Sequence, residues 1–238
     1  MAVQAVAKAF VPPHADSTVN DLFHTVELRS DSPFVAPSFS RLVRKCAVDG
    51  RRQFLIYTDG ACLDDGQPNA QAGWAFDFMA DQEPNGIISG RLERYGPVVG
   101  HAYRQTSNRA ELRAVLAAMR FRRWEYEAFV SLVIATSSEY VTRGATEWLH
   151  HWIRNDWTMS NGEPVENQDL WFAILQAIHR AHTAGLEIQF WTIPRSQNPM
   201  ADGAARRAAH FVDVDHYHDV DYCAWAYEKS DGLIQLEE

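Results

Sequence analysis

The chain alternates between two patterns of hydrophobic and polar positions. Short runs rich in β-branched and aromatic residues, bounded by turn-forming residues, have the pattern of strands. Three such runs follow one another at 51–62, 72–79 and 86–98, and two more lie at 129–136 and 186–194. The sequence therefore predicts five strands, of which the first three are consecutive.

Longer segments between and after the later strands have apolar residues three and four positions apart, which predicts helices. They cover 108–127, 139–157, 167–185 and 198–211. The second segment is expected to be one or two helices interrupted near Gly144, because glycine in a helix costs about 1 kcal/mol relative to alanine.

Asn167 is the predicted N-cap of the third helix, and Asn198 is that of the fourth, with Pro199 at the first helical position. Consecutive strands form antiparallel meanders, and strands joined through helices run parallel. We therefore expect an α/β fold: a five-stranded mixed sheet, made of an antiparallel meander plus parallel strands and flanked by helices.

Composition divides the chain into three parts. Residues 1–49 mix Pro, Ser, Asp and short apolar runs without a clear period, so we expect an N-terminal extension that is partly ordered at most. Residues 50–212 carry the predicted elements and form the domain. Residues 213–238 contain eight acidic residues and one Lys, which makes an acidic C-terminal tail.

The distribution of charge matters more than the formal net charge of −9. Residues 101–157 hold eight Arg against six acidic residues. A mildly basic face is compatible with a polyanionic partner, although a solvated surface without a partner is the simpler interpretation of charge alone.

The three cysteines, Cys46, Cys62 and Cys223, are odd in number and far apart, which fits a reducing compartment. No apolar run reaches the roughly 18–20 residues of a membrane span, and the first residues lack the pattern of a secretory signal. We expect an intracellular protein, in the nucleus or cytoplasm, that is monomeric and makes no membrane contact.

Three acidic residues lie where the predicted fold gathers them at one edge of the sheet. Asp59 ends the first strand, Glu111 lies in the first turn of the first helix, and Asp202 in that of the last helix. Singly, each fits an ordinary local role: a turn for the first, a capping box with Asn108 for the second, and the helix dipole for the third. Together, clustered carboxylates repel one another unless a cation compensates, and Mg²⁺ prefers oxygen ligands.

A series of motifs resembles those of ribonuclease H type 1, in the same order and at similar spacing. The match covers roughly residues 50–212, and the wording is most similar to the fungal members. Any one motif is weak, whereas the ordered set is specific. The motifs are "YTDGAC", "RQTSNRAELRAV", "ATSSEYVTRGATEWLHHWIRN", "NQDLW", "FWTIP" and "NPMAD".

This resemblance implies a ribonuclease H-like fold and an activity. Members of the family cut the RNA strand of RNA–DNA hybrids and use two Mg²⁺ ions held by four carboxylates, with Mn²⁺ as a possible substitute. By resemblance, Asp59, Glu111 and Asp202 are three of these catalytic, metal-binding residues. The remaining one is an Asp in the family, where this chain has Ser137. Serine is neutral and a poor Mg²⁺ ligand, so we expect weak or lost activity.

The resemblance also assigns substrate contacts. RNA contacts fall on the backbone around Gly60 and Cys62 and on Ser107 and Asn108. The remaining assignments are a pocket for a DNA phosphate at Arg104, Thr106 and Asn167, an aromatic handle-like region at Tyr140, Trp148, Trp152 and Trp157, and a substrate-binding role for Asn198.

Some aromatic and histidine positions also fit purely structural roles. Trp148 and Trp152 are four positions apart, which is also the spacing of plain helix packing. His179 with His182, and His216 with His218, could bind a transition metal, but a solvated helix face and an acidic tail are the favoured interpretations.

One departure from the family concerns the loop before the last helix, "PRSQNPMAD", which lacks the mobile His that many bacterial and animal relatives place there.

Three functions remain open. The first is a ribonuclease H-like enzyme impaired by Ser137. The second is a catalytically inactive hybrid- or nucleic-acid-binding module, favoured by the retained Arg104, Thr106, Asn108 and Asn167. The third is a structural or protein-interaction domain, which failure to bind a hybrid would favour.

Overall fold

The fold is that of a computed structural model, which describes residues 6–29, 38–46, 49–79, 86–98, 101–220 and 222. Its strands form one mixed sheet in which β4 is central. The strands are β1 (Lys8–Ala9), β2 (His24–Arg29), β3 (Ser38–Lys45), β4 (Arg52–Leu63), β5 (Gln71–Asp77), β6 (Ile87–Arg91), β7 (Ser131–Thr136) and β8 (Glu187–Thr192).

Strands β4, β5 and β6 form the antiparallel meander, and β7 and β8 extend the sheet in parallel on the other side of β4. The prediction of an α/β fold with a mixed sheet flanked by helices is confirmed. Asp59 does not end its strand, however, because β4 continues to Leu63 and pairs with β5 along that length.

The strand count was too low, because three further strands come from residues before 50. β1 adds in parallel to the outer edge of β8. β2 and β3 form a hairpin that pairs with the first half of β4, beside the half that pairs with β5. The described sheet therefore has eight strands.

The helices lie on both faces of the sheet. They are α1 (Val19–Leu22), α2 (Ser107–Arg120), α3 (Glu139–Arg143), α4 (Leu149–Arg154), α5 (Gln168–Thr183) and α6 (Pro199–Ala208). The predicted helix 108–127 ends at Arg120, and a 3-10 turn, Trp124–Tyr126, follows it.

The predicted interruption near Gly144 is a π-helical turn, Gly144–Trp148, that joins α3 to α4. Gly144 packs directly on the ring of Trp171. A Cβ at this position would lie 2.3 Å from the ring carbon Cη2, so a larger residue would collide with the ring. Such local widenings of a helix are frequent at functional sites.

Strand alternation separates the two faces of the sheet. Phe54 and Ile56 point to the face that α2 and α5 cover, whereas Leu55 and Tyr57 point to the opposite face. On that second face α6 covers β4, β5 and β6. The N-terminal segment, which is the part of the chain at 10–23, covers β4, β7 and β8.

Two strand glycines let helices approach the sheet closely. A Cβ at Gly60 would lie 2.2 Å from the backbone nitrogen of Glu111 in α2, and a Cβ at Gly73 would lie 2.3 Å from that of Ala209 just after α6. The two contacts are on opposite faces. Only glycine leaves room for both helices at this depth.

The chain after α6 lies against the domain as far as it is described. Asp213 forms ion pairs with Arg91, at 2.9 Å, and with Arg94, at 2.6 Å. Asp219 pairs with Arg120 at 3.3 Å. Part of the acidic segment therefore neutralises arginines of the domain.

The N-terminal segment should contribute strongly to stability through Phe23. Phe23 is 2% exposed, and its ring packs with those of Phe10 and Trp191. The ring centroids of Phe10 and Trp191 themselves lie 4.8 Å apart. Phe23→Ala should lower the free energy of unfolding by about 3–5 kcal/mol, because a buried ring is lost and a cavity remains. Denaturant unfolding measures this change.

The matched control is Tyr126→Ala, since Tyr126 is 77% exposed. It should change the stability by no more than about 0.5 kcal/mol. Equal effects of the two substitutions would contradict the packing described for this segment.

Candidate active site

Asp59 lies on the central strand and is fully buried. The N–H of Gly60 donates to its Oδ1 at 2.8 Å, and the Asn198 side-chain amide donates to its Oδ2 at 3.1 Å. Because both oxygens accept hydrogen bonds inside a continuous strand, the alternative of a simple Asp-Gly turn is wrong.

Glu111 enters the site from α2 on the other face. Thr136, the last residue of β7, donates through its hydroxyl to Glu111 Oε2 at 3.4 Å, and the charge of Asp59 also acts on Glu111. The capping box with Asn108 is wrong, because α2 begins earlier and its N-cap is Thr106.

Asp202 lies in the first turn of α6 and is held by two arginines. Arg195 Nε donates to its Oδ1 at 2.7 Å, and Arg206 Nε donates to its Oδ2 at 3.0 Å. Its position also suits the helix dipole, so that interpretation stands beside the ion pairs.

Ser137 immediately follows β7 and is half-buried. Val133 and Ala135 of β7 face the side of the sheet that Asp59 also faces, and Ser137 is the next residue of the same parity, one position beyond the end of the strand. Ser138 next to it accepts from the N–H of Val141 and caps α3.

Burial and mutual repulsion raise the pKa of the two central carboxyls. For Asp59, burial and then the charge of Asp202 raise the pKa to about 6, against the opposing charge of Arg195. For Glu111, burial and then the charge of Asp59 raise the pKa well above its ordinary value. The cluster is therefore a place where negative charge is costly without a cation.

Arg195 supplies positive charge to this cluster. Partial burial alone would lower its pKa, but the hydrogen bond with Asp202 and the charges of Asp202, Asp59 and Glu111 raise it. One guanidinium therefore acts on all three carboxylates.

The donor set fits a hard divalent cation. The site offers three carboxylates, and Asn198 Oδ1 is a buried acceptor for which the structure shows no hydrogen-bond partner. In the described part of the chain, however, no three His, Cys, Asp or Glu side chains come close enough to share one ion. Asp202 is the member whose oxygens are already taken by arginines.

Asn198 is the N-cap residue of α6, with Pro199 as the first helical residue, as predicted, but its side chain makes no capping hydrogen bond. Its amide instead donates to the carbonyl oxygen of Thr58, at 3.0 Å, and to Asp59. The residue ties the start of α6 to the central strand, which fixes where Asp202 lies.

The residues assigned to RNA contact lie around the start of α2. Asn108 is exposed in the first turn, and the N–H of Ser107 donates to Asp65 at 3.1 Å. Cys62 is half-buried, and its Sγ lies 3.6 Å from the carbonyl oxygen of Gln105. Burial and the charge of Asp65 raise the pKa of Cys62 to about 11, so its thiol stays protonated.

Two of the three residues assigned to the phosphate pocket meet at Arg109. The N–H of Arg109 donates to the Thr106 hydroxyl at 3.2 Å, and its guanidinium donates to Asn167 Oδ1 at 3.3 Å. Arg104 is exposed, with its guanidinium turned to the carbonyl oxygen of Gly66 at 3.4 Å.

Asn167 adopts a left-handed backbone, with φ of 55°, and makes no side-chain capping bond. It does occupy the N-cap position of α5, as predicted, although its side chain does not cap the helix. Its amide donates instead to the hydroxyl of Tyr140 at 3.4 Å, which joins a residue assigned to the phosphate pocket to the aromatic region.

The aromatic region is continuous from Tyr140 through Trp148 to Trp152, with ring centroids about 6 Å apart. Trp152 also meets Trp171 edge to face. Tyr140, Trp148 and Trp152 are half-buried and border a cavity of about 410 Å³. These residues therefore pack within the helical region and also present an open aromatic surface. Trp157 is buried against Phe172 and is part of the core.

Sequence reasoning missed three participants. Thr136 and Arg195 contact the carboxylates, and a buried ion pair of Arg109 with Asp169, at 2.7 Å, holds α5 against α2. Of these residues, only Arg109 could have been recognised from the sequence. It is a charged residue at a position of the helical pattern that faces the core, and such a residue needs a buried partner.

None of the helices in the described part of the chain is long and apolar enough to cross a membrane.

Comparison with known proteins relates this chain to ribonuclease H. The family model described as RNase H matches residues 51–210. Ribonuclease H of Treponema pallidum subsp. pallidum is 34% identical over 165 residues, covering 65% of this chain and 91% of that protein. Ribonuclease H of Actinobacillus succinogenes is 32% identical over 160 residues, covering 67% and 91%.

Among solved structures, a foamy viral protease–reverse transcriptase in complex with an RNA/DNA hybrid has a TM-score of 0.51 at 20% identity. The match covers 66% of this chain and 20% of that chain. This likeness concerns the fold.

Glu111→Gln should stabilise the metal-free protein as the pH rises. A carboxyl with a raised pKa binds its proton more tightly in the folded state. That stability is complete below the unfolded pKa of about 4.3 and is lost as the pH rises through the raised value. Glutamine mimics the protonated form at every pH, so its advantage should grow with pH. Thermal unfolding in EDTA from acid to mildly alkaline pH measures it.

Glu139→Gln, at an exposed position in α3, is the control and should show no such growth. A constant difference between Glu111→Gln and the parent across this range would show that the pKa of Glu111 is the same in the folded and unfolded states, and would contradict the prediction.

Proposed function

Because the chain belongs to the ribonuclease H family, whose model matches residues 51–210, we propose that it engages RNA–DNA hybrids as an endoribonuclease-type protein. The parent reaction is hydrolysis of the RNA strand, and Ser137 impairs it. We further assign the chain to the fungal-like members of the family, because the residues of its motifs resemble theirs most.

The observation that carries this proposal is the meeting of Asp59 and Glu111 beside Thr136. Three separate elements, β4, α2 and β7, bring these side chains together. The family resemblance of the motifs assigns the acidic centre to the same two carboxylates, which supports the proposal. Burying two interacting carboxyls costs stability, which makes a purely structural role for the pair hard to justify.

In the proposed site Asp59, Glu111 and Asp202 would hold Mg²⁺, or Mn²⁺ in its place. When bound, the ion supplies positive charge to the phosphodiester and lowers the pKa of water. Asn198 orients Asp59 through its amide, and Thr136 orients Glu111 through its hydroxyl.

The proposed substrate contacts lie around the first turn of α2 and the residues near Arg109. Asn108 is exposed, as an RNA contact requires, since the 2′-hydroxyl is what distinguishes RNA from DNA. Arg104 is also exposed and can turn to a phosphate, and such contacts fix the register of a duplex without reading its sequence.

A catalytically inactive hybrid-binding module is the second candidate. The observation that favours it is Ser137 on the side of Asp59, where a hydroxyl replaces a carboxylate. Loss of a ligand that contacts the metal should cost more than the 10–100-fold that is typical of its supporting hydrogen-bond partners.

Ser137→Asp should restore Mg²⁺-dependent cleavage of an RNA–DNA hybrid and lower the stability of the metal-free protein. A fourth carboxylate adds a ligand, and it also adds repulsion that only a cation relieves. Cleavage of a hybrid labelled on the RNA strand, with thermal unfolding in EDTA and in Mg²⁺, measures both effects. The parent should cleave very slowly in Mg²⁺ and recover part of the rate in Mn²⁺.

Ser138→Asp is the matched control, because it adds the same charge one residue away, at the cap of α3. It should not restore cleavage. The proposal of impairment at position 137 fails if the parent already turns over fully in Mg²⁺, or if Ser137→Asp changes neither cleavage nor the response to Mg²⁺.

A further inference from the structure

We propose that Arg195 is an internal cation that holds Asp202 out of the carboxylate cluster and must release it before Asp202 can bind a divalent ion. Arg195 is then a positioning residue that sets the metal affinity of this site. The inference rests on the proposed function, because it concerns the regulation of the same site.

The first observation is the geometry at Asp202. Arg195 and Arg206 each donate to a different carboxylate oxygen, at 2.7 and 3.0 Å. Charge-assisted hydrogen bonds of this length are among the stronger ones in proteins. These donors occupy part of the acceptor sites of the carboxylate, so an ion that approaches Asp202 competes with the two guanidinium groups.

The second observation separates the two arginines. Arg206 lies four residues after Asp202 on the same helix, which is the spacing of an ordinary surface pair. Arg195 reaches Asp202 from outside the helix, and its charge also acts on Asp59 and Glu111. Arg195 alone of the two therefore shares the electrostatic role that a metal ion would have.

The third observation is that the backbone carrying Arg195 is anchored to the domain, while its side chain lies largely in solvent. The 3-10 turn Arg195–Gln197 is anchored where Gln197 accepts from the N–H of Val19, at 3.3 Å, and where Asn198 binds Asp59. The Arg195 side chain is 52% exposed, against 20% for Asp202. The guanidinium can therefore move into solvent without opening the core.

The expected strength of this competition is modest. Half-exposed ion pairs contribute up to about 1 kcal/mol, which corresponds to a factor of about five in affinity. Removing Arg195 should therefore tighten the binding of a divalent ion by about fivefold.

The experiment is calorimetric titration of Mn²⁺ into the full chain without nucleic acid, for the parent, Arg195→Gln, Arg195→Lys and Arg207→Gln. Arg207→Gln removes one charge from an exposed position of α6 that is outside the described ion pairs of Asp202, so it controls for net charge. Thermal unfolding in EDTA confirms that each variant folds.

Arg195→Gln should bind Mn²⁺ about fivefold more tightly than the parent, Arg195→Lys should stay near the parent, and Arg207→Gln should change the affinity much less. Equal affinities for Arg195→Gln and the parent, or equal gains for Arg195→Gln and Arg207→Gln, would overturn the inference. The absence of Mn²⁺ binding in every variant would overturn it as well. Because this titration needs no hybrid, a failure of hybrid binding or cleavage would count against the proposed function only.

Discussion

The close approach of α2 to β4 at Gly60 is the constraint on which the site depends. Any side chain at this position would collide with the backbone of Glu111, since even a Cβ would lie 2.2 Å from its nitrogen. The missing side chain lets the helix lie at a depth where Glu111 meets Asp59 across the strand. Gly73 has the corresponding role for α6 on the other face, which carries Asp202.

The close approach of α2 to β4 buries two carboxyl groups, which is electrostatically unfavourable. Burial raises the pKa of both Asp59 and Glu111, and their charges oppose one another. The positive charge of Arg195 offsets part of that cost, because it acts on Asp202, Asp59 and Glu111.

Much of the domain could be predicted from the sequence, because each central strand and each long helix has a clear hydrophobic period. The N-terminal strands were not predicted. β1 has only two residues, β3 lacks strict alternation, and the short alternation of β2 at 25–29 is followed by a stretch rich in Pro and Ser. The carboxylates were found because the motifs are ordered. Arg195 was not, because an exposed arginine in a loop has no periodic or motif signal until the fold brings it to Asp202.

Binding of one sequence as an RNA–DNA hybrid and as a DNA duplex, in Ca²⁺ at low ionic strength, is the most direct test of the central claim that this chain recognises hybrids. Asn108 and the residues near Arg109 should give tighter binding to the hybrid, because only the hybrid presents 2′-hydroxyls. Fluorescence anisotropy with both duplexes labelled at the same end measures the two dissociation constants. Equal affinities would contradict the account, since they would leave only the charge of the backbone as the basis of binding.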